Sequence, residues 1–394
     1  MRQEEFSACR IFFKQQRNMN THWKYIAMAL LMGTASCTTS TKEEKNPETT
    51  TGEPLSIILM IGDGMGVPQV STAYYFGSDT PNFSRFKHIG LHKTSDKSHR
   101  ITDSAAGATA FAIGQKTYKR AIGVSADTIP QETIMEQLQK QGYQTGLISL
   151  TTITNATPAS FYAHVKDRDM HEEIALQLAT AKVDFLAGGG KKFFNKRADG
   201  KDLFKVLEDE NYHLDTLELS KAELGKRNAY LLAEEGVPSK TEGRGEFLGD
   251  ATALALDYFG QNGKPFFLMV EGSYIDWGGH AEDAEMMVSE VLDFDKTLGT
   301  VLDYVEKHPN TLLVVTADHE TGGASIGKYY EVDESTGNKQ EVPEKVSVNF
   351  NTDQHSGELI PVFAAGHGAE NFQGIYENNE IYHKIRQAID QKKK

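Results

Sequence analysis

Leu55-Ser56-Ile57-Ile58-Leu59-Met60-Ile61-Gly62-Asp63-Gly64 is an unbroken apolar run that stops on a carboxylate set between glycines. A strand buried on both faces reads this way, because helices packed over a parallel sheet remove the alternation of a half-exposed strand. Similar runs recur outward from it at 145–150, 183–186, 265–270, 311–316 and 360–365. Between them lie helical stretches at 131–141, 171–181, 249–259, 281–306 and 380–391. This order predicts an α/β fold, a central mostly parallel sheet covered by helices on both faces. Two segments fit it poorly: 211–246 reads as a decorating insertion and the polar stretch 328–351 as a surface excursion.

The acids fall at the ends of these runs. Asp63 follows the first, Glu271 follows Phe266–Val270, and Asp318-His319 follows Leu312–Ala317. Ligands of open α/β sheets bind beyond the carboxyl ends of the strands, so the three acids are expected on one rim. One such acid is a turn residue; three uncompensated carboxylates against buried strands are costly.

Other candidates gather around them. Ser104, in Thr102-Asp103-Ser104-Ala105-Ala106-Gly107-Ala108, opens a helix of small residues. It reads either as an ordinary cap or as a hydroxyl presented beside free N–H groups that suit a phosphate. Asp276 and His280 are four residues apart, and His355 offers another nitrogen ligand. Mixed oxygen and nitrogen ligands suit zinc, and an all-oxygen site suits magnesium. Thr157 offers a neutral oxygen, and Arg168 has the fork that fits a phosphoryl group.

Bulk properties narrow the class. With 394 residues, 39% of them hydrophobic, the chain buries a large core. Its net charge of −14 argues against a general nucleic-acid surface, so an anionic substrate needs a local positive centre such as bound metal. The basic residues up to Lys24, the apolar run 25–32 and the small residues before Cys37 read as an export signal, too short for a stable span. Cys37 is then a candidate lipidation site, with cleavage after Ser36 to a soluble product as the alternative. A start at Met19 gives an ordinary signal, which marks 1–18 as a candidate start-site artefact. Residues 38–54 read as a polar tether, and 55–394 as one folded domain. Without 1–37 the chain loses five basic and two acidic residues, for a net −17. Its only cysteines are Cys9 and Cys37, so a metal site in the folded part uses His and carboxylates.

The motifs IGDGMG (61–66), TDSAAGATA (102–110), ATPA…AHV..R (156–168), GGGKKFF (188–194), VEGSYIDWGGH (270–280), VTADHETGG (315–323) and QHSGELIPVFAAG (354–366) together resemble the alkaline phosphatase family. The resemblance spans roughly residues 55–390 and implies hydrolysis of small phosphomonoesters at alkaline pH. It implies Ser104 as nucleophile, Arg168 as phosphate clamp and Asp103 as the residue that orients Arg168. One zinc falls to Asp276, His280 and His355, and a second to Asp63, Asp318 and His319. A magnesium falls to Asp63, Thr157 and Glu271. Two positions depart from the family pattern. Asn155 stands where relatives carry Asp or His near the magnesium, and Trp277 stands where Lys or His binds phosphate in well-known members, which implies weaker product binding. Members are commonly homodimers, and a lipid at Cys37 would place the protein in the periplasm or at the cell surface.

Rival readings are a phosphodiesterase, sulfatase or phosphosugar mutase on the same fold, or a metal-binding lipoprotein without turnover. Ser104 without a Cys-x-Pro-x-Arg signature argues against the sulfatase. The presence of Arg168, Thr157 and Glu271 argues against the diesterase, and no candidate ligand is missing, as a binding protein would lead one to expect. Glu320 and His367 lie beside the motifs and take structural roles in this reading.

Overall fold

The computed structural model describes residues 52–393; the leader, Cys37 and the tether up to residue 51 lie outside the described residues. The strands in chain order are β1 (Ser56–Gly62), β2 (His88–Lys93), β3 (Gln144–Thr152), β4 (Phe185–Gly189), β5 (Tyr212–Asp215), β6 (Arg227–Ala233) and β7 (Phe266–Gly272). They continue as β8 (Thr311–Thr316), β9 (Glu320–Thr321), β10 (Ser325–Val332), β11 (Lys339–Asn349), β12 (His355–Ser356), β13 (Ile360–Gly366) and β14 (Gly374–Glu377). Ten of them form one sheet, in the order β14-β2-β13-β8-β1-β7-β3-β4-β6-β5. Only β13 runs antiparallel to its neighbours, β8 and β2, so the sheet is mostly parallel as expected.

Each apolar run feeds both faces of this sheet. Ile57, Leu59 and Ile61 of β1 pack with Phe111, Ile134, Leu138 and Ile385 on one side. Ile58 and Met60 pack with Val70, Leu248, Val291 and Leu298 on the other. Burying one such side chain contributes about 1.5–3 kcal/mol, which is why the central strands tolerate no polar interruption until they reach the rim. Register then sets the rim: Ile61 lies opposite Glu271 on β7 and Thr316 on β8. Asp63, Glu271 and Asp318 therefore emerge at nearly one level.

Residues 211–246 are not a decorating insertion. They supply β5 and β6, which extend the sheet in parallel beyond β4. Ala229, Tyr230 and Leu231 are fully buried, but the run is short, and β5, at the open edge, is half-exposed and polar. β2 and β14 escape a pattern search for the same reason, since His88, His92 and Lys93 interrupt β2 near the other edge. Residues 325–349 form the hairpin β10–β11, a separate, mostly exposed two-stranded sheet. No helix among the described residues is long and apolar enough to cross a membrane.

β2 carries one buried group with a pH signature. His92 is fully buried, with Phe111 edge-on at 5.7 Å and Nε2 3.0 Å from the Ala317 carbonyl, so Nε2 carries the proton. Burial pushes its pKa down to about 4. Between that value and the unfolded value of about 6.5 the unfolded chain binds more protons, so stability is full above that range and falls as pH drops through it. Metal-free wild type should lose about 3 kcal/mol more than His92→Asn over this range. Denaturant titrations at pH 4 and pH 7 in chelator check this, and an equal loss in both proteins contradicts it.

Candidate active site

Two glycines let the rim close. Gly64, just past Asp63, has φ +74°, and a Cβ there would lie 2.7 Å from the Asp276 Cα. A Cβ on Gly107 would lie 3.0 Å from the Asp318 Cβ, so the small-residue helix Ser104–Ile113 can press against Asp318. Asp103, rather than Ser104, caps this helix, accepting from Ala106 N at 3.2 Å. Ser104 is the first helical residue, and its Oγ is 3.2 Å from His319 Nε2. The cap reading thus belongs to Asp103, which leaves the serine hydroxyl free to face the rim.

The histidines declare their tautomers. His280 Nδ1 is 2.6 Å from the Asp353 carbonyl, and His355 Nδ1 is 2.9 Å from the Thr102 carbonyl. Carbonyls only accept, so both Nδ1 atoms carry protons and both Nε2 atoms are bare in the neutral rings. Thr321 Oγ1 lies 2.5 Å from Asp276 Oδ1, to which it donates, and 3.2 Å from His319 Nδ1, from which it accepts. His319 Nε2 is therefore bare as well.

Bare acceptors then face one another in two groups. His280 Nε2 is 3.1 Å from His355 Nε2 and 3.4 Å from Asp276 Oδ1, and His355 Nε2 is 3.6 Å from the same oxygen. His319 Nε2 is 3.2 Å from Asp318 Oδ2 and 3.5 Å from Asp63 Oδ1. Those two buried carboxylate oxygens have no hydrogen-bond partner. Ligands about 2.0–2.1 Å from a tetrahedral metal stand about 3.3 Å from each other, which matches both sets. The groups abut: ligand atoms of Asp276, His319 and His355 lie within 4.8 Å of one another, and the His319 and His355 rings stack at 3.5 Å.

Without a cation the electrostatics oppose this arrangement. Burial, then the charges of Asp318 and Asp276, push the Asp63 carboxyl well above its ordinary range. Burial and Asp276 raise Asp318 to about 7. Burial and His355 hold the His319 imidazole well below its usual value. A neutral imidazole lone pair facing two carboxylates fits a divalent cation between them. Ser104 and His319 look superficially like a nucleophile and base, but the acceptor behind Nδ1 is a threonine hydroxyl, and carboxylates crowd the same Nε2.

Arg168 is held flat at the edge of this cluster. Its two terminal nitrogens reach Asp103 Oδ2 at 3.3 Å and Asn155 Oδ1 at 3.2 Å. Asn155 also caps the turn 156–159 that carries Thr157. Glu271 is buried, which raises its carboxyl, while Ser149 Oγ donates to it at 2.5 Å and opposes the rise. Thr157 is buried, and Arg168 acts on both Glu271 and Asp63 through its charge. Trp277 is 48% exposed and meets Tyr274 edge-on at 4.6 Å. If it stands in for a basic phosphate ligand, Trp277→Lys should tighten inhibition by inorganic phosphate about tenfold. An unchanged inhibition constant contradicts that.

Sequence reasoning missed the supports. Arg120 grips Asp167 through paired bonds of 2.8 Å and also reaches Asp169, which fixes the segment bearing Arg168. Thr321 joins the segments of the two histidine-containing groups: besides Asp276 and His319, its N–H donates to Gly64 O and its strand pairs with His355. Glu320, by contrast, has the structural role expected, accepting from Gln69, Gly323 and Ala324. Only the adjacency of Thr321 to His319 hints at its role. Thr321→Val should weaken binding of a divalent metal about 10–100-fold, with Thr321→Ser restoring it. Competition with a colorimetric chelator measures this; wild-type affinity in the valine variant contradicts it.

The Alkaline phosphatase family profile matches residues 55–341 and 328–391. The chain belongs to the alkaline phosphatase family. It is 30% identical to alkaline phosphatase 4 of Bacillus subtilis, over 82% of this chain and 86% of that one. It is 27% identical to the Escherichia coli enzyme, over 85% and 86%. The structure of the alkaline phosphatase from the Antarctic bacterium TAB5 superposes with a TM-score of 0.83 and 43% identity, over 86% of this chain and 99% of that one. A His-to-Asp mutant of that enzyme is described with Mg bound in its M3 site. Family and fold together make this chain a phosphatase of phosphate monoesters.

Proposed function

We propose that this chain hydrolyses phosphate monoesters through a phosphoserine at Ser104, with two zinc ions and one magnesium, best at alkaline pH. The observation that carries the reading is Ser104 Oγ set 3.2 Å from His319 Nε2, beside two buried carboxylate oxygens that lack any hydrogen bond. Asp276, His280 and His355 would hold one zinc, Asp63, Asp318 and His319 the other, and Asp63, Thr157 and Glu271 the magnesium. When bound, these ions supply Lewis acidity that eases loss of the Ser104 proton and offsets charge on the leaving oxygen.

Ser104 Oγ gives up its proton to solvent and attacks phosphorus in line, and the bond to the alcohol oxygen breaks on the far side, that oxygen taking a proton from water to leave as the alcohol. Arg168 would hold two phosphoryl oxygens with its planar fork, oriented by Asp103 and Asn155. The first N–H groups of helix Ser104–Ile113 face the same charge. Water then cleaves the phosphoserine and restores Ser104, releasing inorganic phosphate. Loss of the hydroxyl proton is easier at high pH, which gives the alkaline preference.

The test is hydrolysis of a chromogenic phosphomonoester against the matching diester and sulfate ester, with and without chelator. Monoester turnover that chelator abolishes is expected; turnover unaffected by chelator favours a metal-free serine–histidine pair instead. Export with a lipid on Cys37 and assembly as a homodimer belong to the same proposal. The mass of the mature N-terminus and light scattering test them.

A further inference from the structure

We propose that the site favours phosphomonoesters whose alcohol portion carries a second phosphoryl group, held by Arg100 and Lys119. This rests on the phosphomonoesterase reading above and names its substrate class. A cleft of about 420 Å³ opens beside the catalytic centre, and Arg100, Ile101, Thr102, Lys119, Gln354 and His355 line it. His355 is a shared wall: its Nε2 belongs to the group with His280 and Asp276, and its Nδ1 is bonded to the Thr102 carbonyl. Thr102 stands two residues before Ser104.

In-line displacement decides which way a substrate points. Ser104 lies against His319, whose group abuts that of His280 and His355, so a leaving oxygen on the side of phosphorus away from Ser104 would point toward the latter. Beyond His355 the alcohol portion meets the cleft.

The charge of that cleft runs against the whole chain. The protein carries 55 acidic residues against 41 basic ones, yet no carboxylate lines this wall. The side chains of Arg100 and Lys119 make no ion pair and no hydrogen bond among the described residues, and Lys119 is bonded only through its backbone N–H, to Ser98 Oγ. Their near neighbours are committed elsewhere, Arg120 to Asp167 and Lys116 to Glu377. A guanidinium fork and an ammonium beside one concave wall complement a dianionic phosphoryl group. Ile101, 38% exposed in the same wall, offers apolar contact to the carbon skeleton between the two phosphates. Arg100 precedes Ser104 by four residues, so their Cα atoms are at most about 14 Å apart, a span that a sugar bisphosphate bridges with the help of the side chains.

The experiment compares kcat/KM for fructose 1,6-bisphosphate, fructose 6-phosphate and p-nitrophenyl phosphate in metal-loaded wild type and the Arg100→Ala/Lys119→Ala double variant. Wild type should favour the bisphosphate over the monophosphate by about tenfold or more, chiefly through KM. The double variant should lose this preference while keeping p-nitrophenyl phosphate turnover within about twofold. A bisphosphate-to-monophosphate ratio that is the same in both proteins overturns the subsite and leaves the phosphatase reading standing. Failure of wild type to hydrolyse any of the three overturns both.

Discussion

Replacing Ser104 with alanine lowers kcat/KM for a phosphomonoester by about 10⁴-fold or more while leaving zinc content at the wild-type level. The two halves of this result belong together. Ser104 Oγ is the hydroxyl in contact with His319 Nε2 among the described residues, so its loss would remove the atom proposed to bond phosphorus. The convergent ligand atoms of Asp63, Asp318 and His319 are untouched by the change, and the fixed tautomers of His280, His319 and His355 do not depend on it. The substitution is also small, in a helix whose neighbouring residues are already alanines. Kinetics and metal analysis on the same preparation check it. Residual activity near wild type would remove Ser104 from the mechanism.

Stripping the metals is the second large effect: activity is abolished and the thermal midpoint falls by about 5–10 °C, both restored by adding zinc and magnesium. Asp63, Asp276, Glu271 and Asp318 are all at least nine-tenths buried, and Asp63 and Asp318 each present an oxygen with no hydrogen bond. In the folded protein these charges repel one another unless a cation stands between them, whereas in the unfolded chain they separate into water. Ions that bind only the folded arrangement therefore stabilise it by mass action. Differential scanning calorimetry with and without chelator measures the shift, and an unchanged midpoint contradicts the metal assignment.

What could be read from the sequence divides along physical lines. Asp63, Glu271 and Asp318 were legible because interior parallel strands are apolar throughout, so the first charge after each run marks the rim. Edge strands lack that contrast: β5 is half-exposed and polar, β2 is broken by histidines, and residues 211–246 passed for an insertion. The ligand set rests on ordered motifs and the resemblance they carry, and the structure brings Asp63, Asp318 and His319 together, and likewise Asp276, His280 and His355. Their supports were illegible. Arg120 reaches Asp167 across 47 residues, and Thr321 reaches Asp276 across 45, with no periodicity to announce either. Ser104 illustrates the limit at short range: Asp and Ser in sequence are equally good caps, and only packing assigns the cap to Asp103 and frees the serine.

In the proposed reaction phosphate passes to Ser104 before water takes it. Acid quenching of the metal-loaded enzyme during turnover, followed by peptide mass mapping, tests it directly. One phosphoryl group is expected on the peptide that contains Ser104, and none in the Ser104→Ala variant. Phosphorylation at another residue, or steady hydrolysis by wild type with no phosphoserine trapped at any point in the time course, would contradict it.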